Sequence, residues 1–241
     1  MVLMAYPGHF RLNVAGMKQT TFFITGTDTG VGKTVLTALL TRYLRKRGVK
    51  VAALKPVCSG GRDDARGLRA AMNGVLTLDE INPWHFRAPI APLPAARRER
   101  RQVGLADVLV HVRALQKRFD GLLVEGAGGL LSPLGSDFNS RDLIAALRAT
   151  AMIVCPNRLG AVNQVLLTLA ALPRRESGRA RVVLMSPPKP DASTTTNAGL
   201  LAEFFDAKRI SVFPWLGGRP DAEEVLKDLR VRRTLRTLAE A

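Results

Sequence analysis

Only two cysteines, Cys58 and Cys155, occur in 241 residues. That is too few for a disulfide framework and points to a reducing, cytoplasmic setting. The three histidines, His9, His85 and His111, are scattered and have no cysteine cluster beside them, which excludes a zinc site of the usual spacing. A Gly-x-Ser-x-Gly elbow is missing, so the serine hydrolases built on that turn are excluded as well. No apolar run approaches the ~20 residues needed to cross a bilayer. The stretch Met1 to Gln19 lacks the charged start, long apolar centre and cleavage site of a signal peptide. It reads as an N-terminal extension, disordered in expectation, ahead of a domain spanning residues 20–241.

Acidic residues are also scarce, 20 against 36 lysines and arginines, giving a formal charge of +16 and a pI near 11.1. A surface of that sign attracts nucleic acid, anionic lipid or anionic substrates. The basic residues are 27 arginines and 9 lysines spread along the chain. Their densest runs are ARRERR at Ala96 to Arg101 and the tail around Arg230 to Arg236. Aromatic residues make up only 5% of the chain, and none interleaves with those runs as a single-strand-binding surface would require. The tail does not read as a membrane-surface helix with large apolar residues opposite its arginines. A solvated arginine-rich surface is the expectation, with neither nucleic acid nor membrane as partner.

What is present is an alternation of short apolar strands and helical periods within a 46% hydrophobic chain. One large α/β domain follows, a parallel sheet covered by helices on both faces. The chain is organised around FFITGTDTGVGKT, Phe22 to Thr34. Phe22, Phe23 and Ile24 make a buried strand, Gly26, Gly30 and Gly32 let the backbone turn tightly, and an apolar helical period begins at Val31. A strand, a glycine-punctuated loop ending in Gly-Lys-Thr, and a helix describe a phosphate-binding loop. Its backbone N–H groups, here those from Asp28 through Thr34, face an anion at a helix N-terminus. Lys33 is expected to reach the outer phosphates of ATP and the Thr34 hydroxyl to ligate Mg²⁺. One position departs from the common pattern, which has glycine where this chain has Thr27.

Helical spacing continues over Val35 to Arg47 and is stopped by Gly48. Val49 to Leu54 is a second strand, and it delivers Lys55 to the carboxyl end of the sheet, where open α/β sheets bind ligands. The following Pro56 to Gly60 reads as a loop. Asp63 and Asp64 lie ahead of a short helix, where at least one of them can act as a cap. Val75 to Pro94, rich in proline, reads as a long ordered loop anchored by Trp84, Phe86 and Ile90. Val103 to Phe119 is helical. Leu122, Leu123 and Val124 form another buried strand that presents Glu125, an arrangement suited to a second acidic Mg²⁺ ligand. Strands are further expected at Ala151 to Cys155, Arg181 to Met185 and Ile210 to Phe213. Helices are expected at Arg141 to Ala149, Val162 to Leu172, Asn197 to Phe205 and in the tail from Asp221.

Four stretches together resemble the dethiobiotin synthetase family: GTDTGVGKT at Gly26 to Thr34, KPVCSG at Lys55 to Gly60, EGAGGLLSP at Glu125 to Pro133, and LGAVNQVLLT at Leu159 to Thr168. Weaker matches are Asn82 to Phe86 and Phe213 to Leu216. The Thr27 departure belongs to that family's loop. The resemblance implies an ATP-dependent ligase that takes 7,8-diaminononanoate, adds CO₂ as a carbamate, phosphorylates it, and closes the ureido ring with the second amine. It implies that Lys33 and Lys55 stabilise the transferring phosphoryl group and the carbamate. It also implies that Thr34, Asp64 and Glu125 hold Mg²⁺, with Asp64 preferred to Asp63 because it precedes Ala65. Asp28, Thr29, Gly30, Val31, Gly32 and Pro214 are then nucleotide contacts, and Thr29, Ser59 and Gly128 face the substrate. Leu159, Gly160 and Asn163 match a stretch that reaches the diamine bound at a neighbouring subunit, so the resemblance implies a homodimer.

The family's base-reading asparagine has no counterpart here, because Met185-Ser186-Pro187-Pro188 offers no side-chain amide. The rival reading is a phosphate-loop ATPase of the partition or septum-site type, which binds DNA or membrane and would suit the +16 charge. Those proteins have a second lysine near the start of the loop, where this chain has Thr27 and Asp28.

Overall fold

The computed structural model describes residues 20–218 and 221–240; the expected extension at Met1 to Gln19 lies outside them. Six parallel strands form the central sheet. They are β1 (Thr20–Gly26), β2 (Val51–Leu54), β5 (Gly121–Glu125), β6 (Thr150–Pro156), β7 (Arg181–Met185) and β8 (Ile210–Phe213), in the order β2-β5-β1-β6-β7-β8. The inner strands are buried along almost their whole length. Burial on both faces explains why they read as continuous apolar runs instead of alternating patterns.

Crossovers leave β1 in both directions, to β5 and β2 on one side and to β6, β7 and β8 on the other. The strand that ends in the glycine-rich loop therefore sits at the topological switch point, where the loops diverge and leave a crevice. Helix Lys33–Lys46 packs against β1, β2 and β5 and against helices Asp63–Ala71 and Leu229–Glu240. Helices Leu105–Gln116 and Ser140–Leu147 pack against β5 and β1 and against each other, and helix Ala161–Ala171 packs against β6.

Two expectations are corrected here. Residues 75–94 are not one long loop, and residues 56–60 are not wholly loop. Strand β3 (Val57–Ser59) pairs in parallel with β4 (Trp84–Phe86) in a separate two-stranded sheet. Short helices Leu78–Ile81 and Pro92–Arg98 flank β4. The first begins in a capping box, with the Thr77 hydroxyl accepting from the Glu80 N–H and the Glu80 carboxylate accepting from the Thr77 N–H. The second has Pro92 in its first turn, where a missing N–H costs nothing.

The basic tail is corrected too. Helix Leu229–Glu240 does have an apolar face, with Val231, Leu235 and Leu238 buried against helix Lys33–Lys46 and β8. Arg230, Arg232, Arg233 and Arg236 point outward. The apolar stripe is thus occupied by the domain's own core, which removes it from any membrane surface. Arg181 secures the junction by donating to the Leu238 carbonyl and lying 5.1 Å over the Phe22 ring. Burial holds its guanidinium down to about 10. Leu235→Ala should therefore cost about 2–5 kcal/mol of unfolding free energy, as a large-to-small change at a fully buried site does. Urea denaturation checks this, and a change below about 0.5 kcal/mol would show the helix to be peripheral.

Candidate active site

Strand register assembles the site. Leu54 pairs with Val124 and Ile24 with Glu125, so Lys55, Glu125 and the loop after β1 stand at adjoining strand ends. The loop holds Gly32 at φ 99° as the N-cap of helix Lys33–Lys46. A Cβ there would lie 3.1 Å from the Met185 methyl carbon, so position 32 excludes side chains on both conformational and spatial grounds. Val31 is buried beneath the loop. The Asp28 carboxylate accepts from the Thr29 N–H at 2.6 Å. Lys33 Nζ crosses the inside of the loop and donates to the Asp28 carbonyl at 2.7 Å. Burial, with Lys55 nearby, lowers the Lys33 ammonium to about 8.

Lys55 is the hub of the charged floor. Its ammonium donates to Glu125 Oε1 at 2.7 Å and to Asp64 Oδ2. Burial alone would lower its pKa, but Glu125 and Asp64 together outweigh burial and hold it above the ordinary lysine value. Thr34 Oγ1 donates to the same Glu125 oxygen at 2.6 Å, while Glu125 Oε2 is buried with no hydrogen-bond partner. Asp64, in the first turn of helix Asp63–Ala71, faces Lys55. Asp63 turns instead to Arg66.

The strand that presents Lys55 is braced from behind by Asn82, which is fully buried. Its amide donates to the Lys55 carbonyl at 2.6 Å, and its oxygen accepts from the Cys58 thiol at 3.2 Å. Burial pushes the Cys58 pKa up, so this thiol is a protonated donor and no nucleophile.

These groups open into a cavity of about 710 Å³. Of the residues expected to act, Thr29, Gly30, Gly32, Lys33 and Thr34 line it from the loop side. Lys55, Ser59, Asp64 and Gly128 line it from the facing strand ends. Glu125 lies under its floor, hydrogen-bonded to two of the lining residues. Sequence reasoning did not anticipate Ser132 or the segment Pro89 to Pro92, which also line the cavity. Ser132 was legible only as part of the EGAGGLLSP match; its hydroxyl accepts from the Gly129 N–H at 3.0 Å and so holds that glycine turn.

Leu159, Gly160, Asn163 and Pro214 are not among the residues lining this cavity. Pro214 directly follows β8, at the carboxyl edge of the sheet. Leu159 is 78% exposed, Gly160 caps helix Ala161–Ala171, and Asn163 is exposed on its first turn. The turn that presents them is fastened from behind. Asn157 is fully buried, donates to the Thr194 carbonyl at 2.9 Å, and accepts from the Asn197 amide at 2.9 Å. Asp191 Oδ2 accepts from the Leu159 N–H at 3.0 Å.

Hydrogen bonds from Ser193, the Leu159 backbone and Thr194 hold the Asp191 carboxyl down to about 2. Its folded pKa thus lies below the unfolded value of about 3.9. The fastening is fully present above that unfolded value and is lost as pH falls through about 2. The Leu159 amide should keep its hydrogen-exchange protection factor at pH 4 and lose it towards pH 2. An amide equally protected at both would contradict this fastening.

The AAA_26 family model, described as an AAA domain, matches residues 20–219. Among curated relatives, "ATP-dependent dethiobiotin synthetase BioD" of Anaeromyxobacter dehalogenans (strain 2CP-C) is 42% identical over 198 residues, covering 80% of this chain and 89% of that protein. Proteins of the same name from Akkermansia muciniphila and Bacillus licheniformis are 39% and 36% identical, covering 88% and 86% of their own lengths. Among solved structures, a ParA family ATPase from Chlorobium tepidum TLS aligns with a TM-score of 0.53 at 10% identity, covering 93% of this chain and 92% of that one. The signal recognition particle receptor FtsY from Elizabethkingia anophelis aligns at 0.51 and 14% identity, covering 94% and 70%. These two likenesses establish a shared fold and nothing about activity.

Proposed function

The chain belongs to the ATP-dependent dethiobiotin synthetase family, and on that premise we propose that it closes the ureido ring of dethiobiotin in biotin biosynthesis, using ATP, CO₂ and 7,8-diaminononanoate. The observation that supports this best is the meeting of Lys33 and Lys55 with Glu125 and Asp64 in one cavity at the end of β1. Every step of the reaction gathers anions, so two buried ammonium groups and oriented backbone N–H groups are what it needs from a protein.

One amine of the substrate attacks CO₂ and loses a proton, giving a carbamate. A carbamate oxygen attacks the γ-phosphorus and ADP departs. The second amine then attacks the carbonyl carbon and gives up a proton to solvent or to the departing phosphate, which leaves with the carbamate oxygen. Lys33 and the loop from Asp28 to Thr34 hold the ATP phosphates, with Thr29 at the boundary between nucleotide and substrate. Lys55 faces the carbamate and the phosphoryl group it receives. Ser59 donates its hydroxyl proton to the Ile90 carbonyl, which leaves its oxygen free to accept an N–H of the diamine. Gly128 lets the substrate approach its turn closely.

Mg²⁺ fits the residues present. Thr34, Asp64 and Glu125 offer only oxygen donors, and the buried, unpartnered Glu125 Oε2 is an acceptor awaiting a cation. Among the described residues no group of three or more His, Cys, Asp or Glu side chains forms a cage. That accords with an ion held by two carboxylates, a hydroxyl and substrate phosphates. When bound, the ion neutralises phosphoryl charge.

The exposed Leu159, Gly160 and Asn163 serve the diamine of a second subunit in a homodimer, which explains why they lie away from their own cavity. Pro214 flanks the nucleobase. Met185 packs on Gly32 in the stretch where the family's base-reading amide is expected, so no amide from Met185 to Pro188 reads the base. The enzyme works in the cytoplasm, in keeping with two buried free cysteines and with no described helix long and apolar enough to cross a membrane.

The test is phosphate release by the purified protein with Mg²⁺, bicarbonate and either ATP or CTP, with and without the diamine, the product being identified by mass. Release that requires the diamine and yields dethiobiotin is expected, with ATP and CTP within about tenfold of each other. Hydrolysis indifferent to the diamine and stimulated by DNA would instead favour a partition-type ATPase.

A further inference from the structure

Strand β2 is an edge of the sheet, with β5 on one side and, among the described residues, no strand on the other. Its pairing with β5 ends at Leu54, so the backbone of Lys55 stands one residue past the last rung. Pro56 follows and has no N–H with which to extend the ladder. Lys55 is buried, and its backbone polar groups need partners there as much as its ammonium does.

The segment Ile81 to Asn82 supplies them. The Lys55 N–H donates to the Ile81 carbonyl at 3.0 Å, and the Asn82 amide donates to the Lys55 carbonyl at 2.6 Å. Lys55 is thus gripped once by main chain and once by a side chain standing in for the missing strand. The amide oxygen of Asn82 is occupied as well, accepting from the Cys58 thiol at 3.2 Å. These two contacts need a donor and an acceptor on one short planar group, which asparagine has. An aspartate would set a second acceptor against the Lys55 carbonyl, and an apolar side chain would leave both partners unpaired in the interior.

The same residue reaches the carboxylate that Lys55 meets. The Asn82 carbonyl accepts from Arg62 Nη2 at 3.0 Å, and the Arg62 guanidinium also pairs with Asp79 at 2.9 Å. Arg62 is the N-cap residue of helix Asp63–Ala71, two positions before Asp64. Asn82 is itself fixed, because its N–H donates to the Leu78 carbonyl at 2.8 Å and Pro83 restricts the backbone before it. One residue therefore anchors the backbone that presents the Lys55 ammonium and, through Arg62, the helix start that presents Asp64. Those two side chains are hydrogen-bonded to each other.

We propose that Asn82 is a positioning residue that fixes where the Lys55 ammonium and the Asp64 carboxylate stand relative to each other. This rests on the synthetase reading above and adds to it a residue that touches no substrate. Asn82 is fully buried and is not among the residues lining the cavity, so it acts only through its neighbours. A misplacement of about 1 Å at a reacting centre costs about 10²-fold in rate. The loss falls on kcat, because the loop that binds ATP is carried separately by β1 and helix Lys33–Lys46,.

Asn82→Ala should lower kcat for dethiobiotin formation about 10²-fold and leave the KM for ATP within threefold of native. Leu235→Ala, which lowers stability at a buried site outside the cavity lining, is the control, and its kcat should stay within twofold of native below its melting temperature. A double-mutant cycle separates positioning from mere stabilisation. In a Lys55→Ala background, where the positioned ammonium is already gone, Asn82→Ala should lower the residual rate less than about threefold. A residue that only stabilises the fold would cost the same factor in both backgrounds. Native kcat in folded Asn82→Ala, or an equal loss with and without Lys55, would overturn the proposal. If Asn82→Ala does not fold, Arg62→Ala decides, since it cuts the tie to the Asp64 helix from a partly exposed side chain. It should lower kcat about fivefold or more at unchanged KM for ATP, and a native kcat would overturn the proposal. If the native protein forms no dethiobiotin, the synthetase reading fails and takes this proposal with it, an outcome recognised before any variant is compared.

Discussion

Lys55→Ala is expected to lower kcat for dethiobiotin formation by about 10³-fold or more, on the order of 4 kcal/mol of lost transition-state stabilisation. It should also change stability in a manner that depends on the metal. In the free protein Lys55 balances Glu125, which is fully buried, and its loss leaves that carboxylate with the Thr34 hydroxyl as hydrogen-bond partner and Lys33 as a neighbouring cation that makes no ion pair with it. Breaking a buried pair from one side costs about 3–5 kcal/mol. A cation bound at Glu125 and Asp64 would replace the missing charge, and ligands that bind the native state stabilise it by mass action. Thermal denaturation of Lys55→Ala should accordingly show a large upward shift with Mg²⁺ and nucleotide, and the native protein a smaller one. A variant as active as the native protein would remove Lys55 from the chemistry. A variant whose Tm ignores Mg²⁺ would remove Glu125 and Asp64 from the metal.

Glu125→Gln separates charge from shape. The amide oxygen can still accept from Thr34 and Lys55, so the floor keeps its geometry, but the negative charge at the end of β5 is gone. Divalent-cation affinity, read by Mn²⁺ electron paramagnetic resonance in the presence of nucleotide, should fall at least tenfold. The rate of phosphate release should fall by about 10²–10³-fold, the size of effect seen when one charge-stabilising group is removed from a preorganised site. The melting temperature should change little by comparison, because the substitution leaves no buried charge unpaired and Lys55 retains Asp64. Mn²⁺ affinity equal to that of the native protein would show that Glu125 serves only to seat Lys55.

The parallel sheet was legible because its strands are short apolar runs between helical periods. Arg181–Met185 and Ile210–Phe213 occupy the stretches expected of them. Lys55 and Glu125 could be placed at the carboxyl edge because each directly follows such a run. Their contact could not be read, since it depends on the register between β2 and β5, two strands separated in sequence by β3 and β4. Strands β3 and β4 escaped notice because three residues each, both preceded by a proline, are too short for a period. Their pairing also spans more than twenty residues. The segment Pro89 to Pro92 was lost with them. In the tail, arginines dominated the composition and hid Val231, Leu235 and Leu238, whose i, i+4, i+7 spacing marks a core-facing stripe. The fastening of Leu159 by Asp191 and Asn157 by Asn197 had no sequence signal, since a backbone N–H and an amide whose partners lie 32 and 40 positions away announce no partnership.

In the proposed reaction the cavity joins the phosphate loop to a carbamate and not to water. Carrying out the reaction with fresh ¹⁸O-labelled bicarbonate, before its label exchanges with solvent, and examining the released phosphate by mass spectrometry distinguishes the two nucleophiles. If a carbamate oxygen attacks the γ-phosphorus and departs with it, one ¹⁸O appears in each phosphate released. Unlabelled phosphate, released at the same rate whether or not the diamine is present, would mean that water is the nucleophile and that this site hydrolyses ATP for some other purpose.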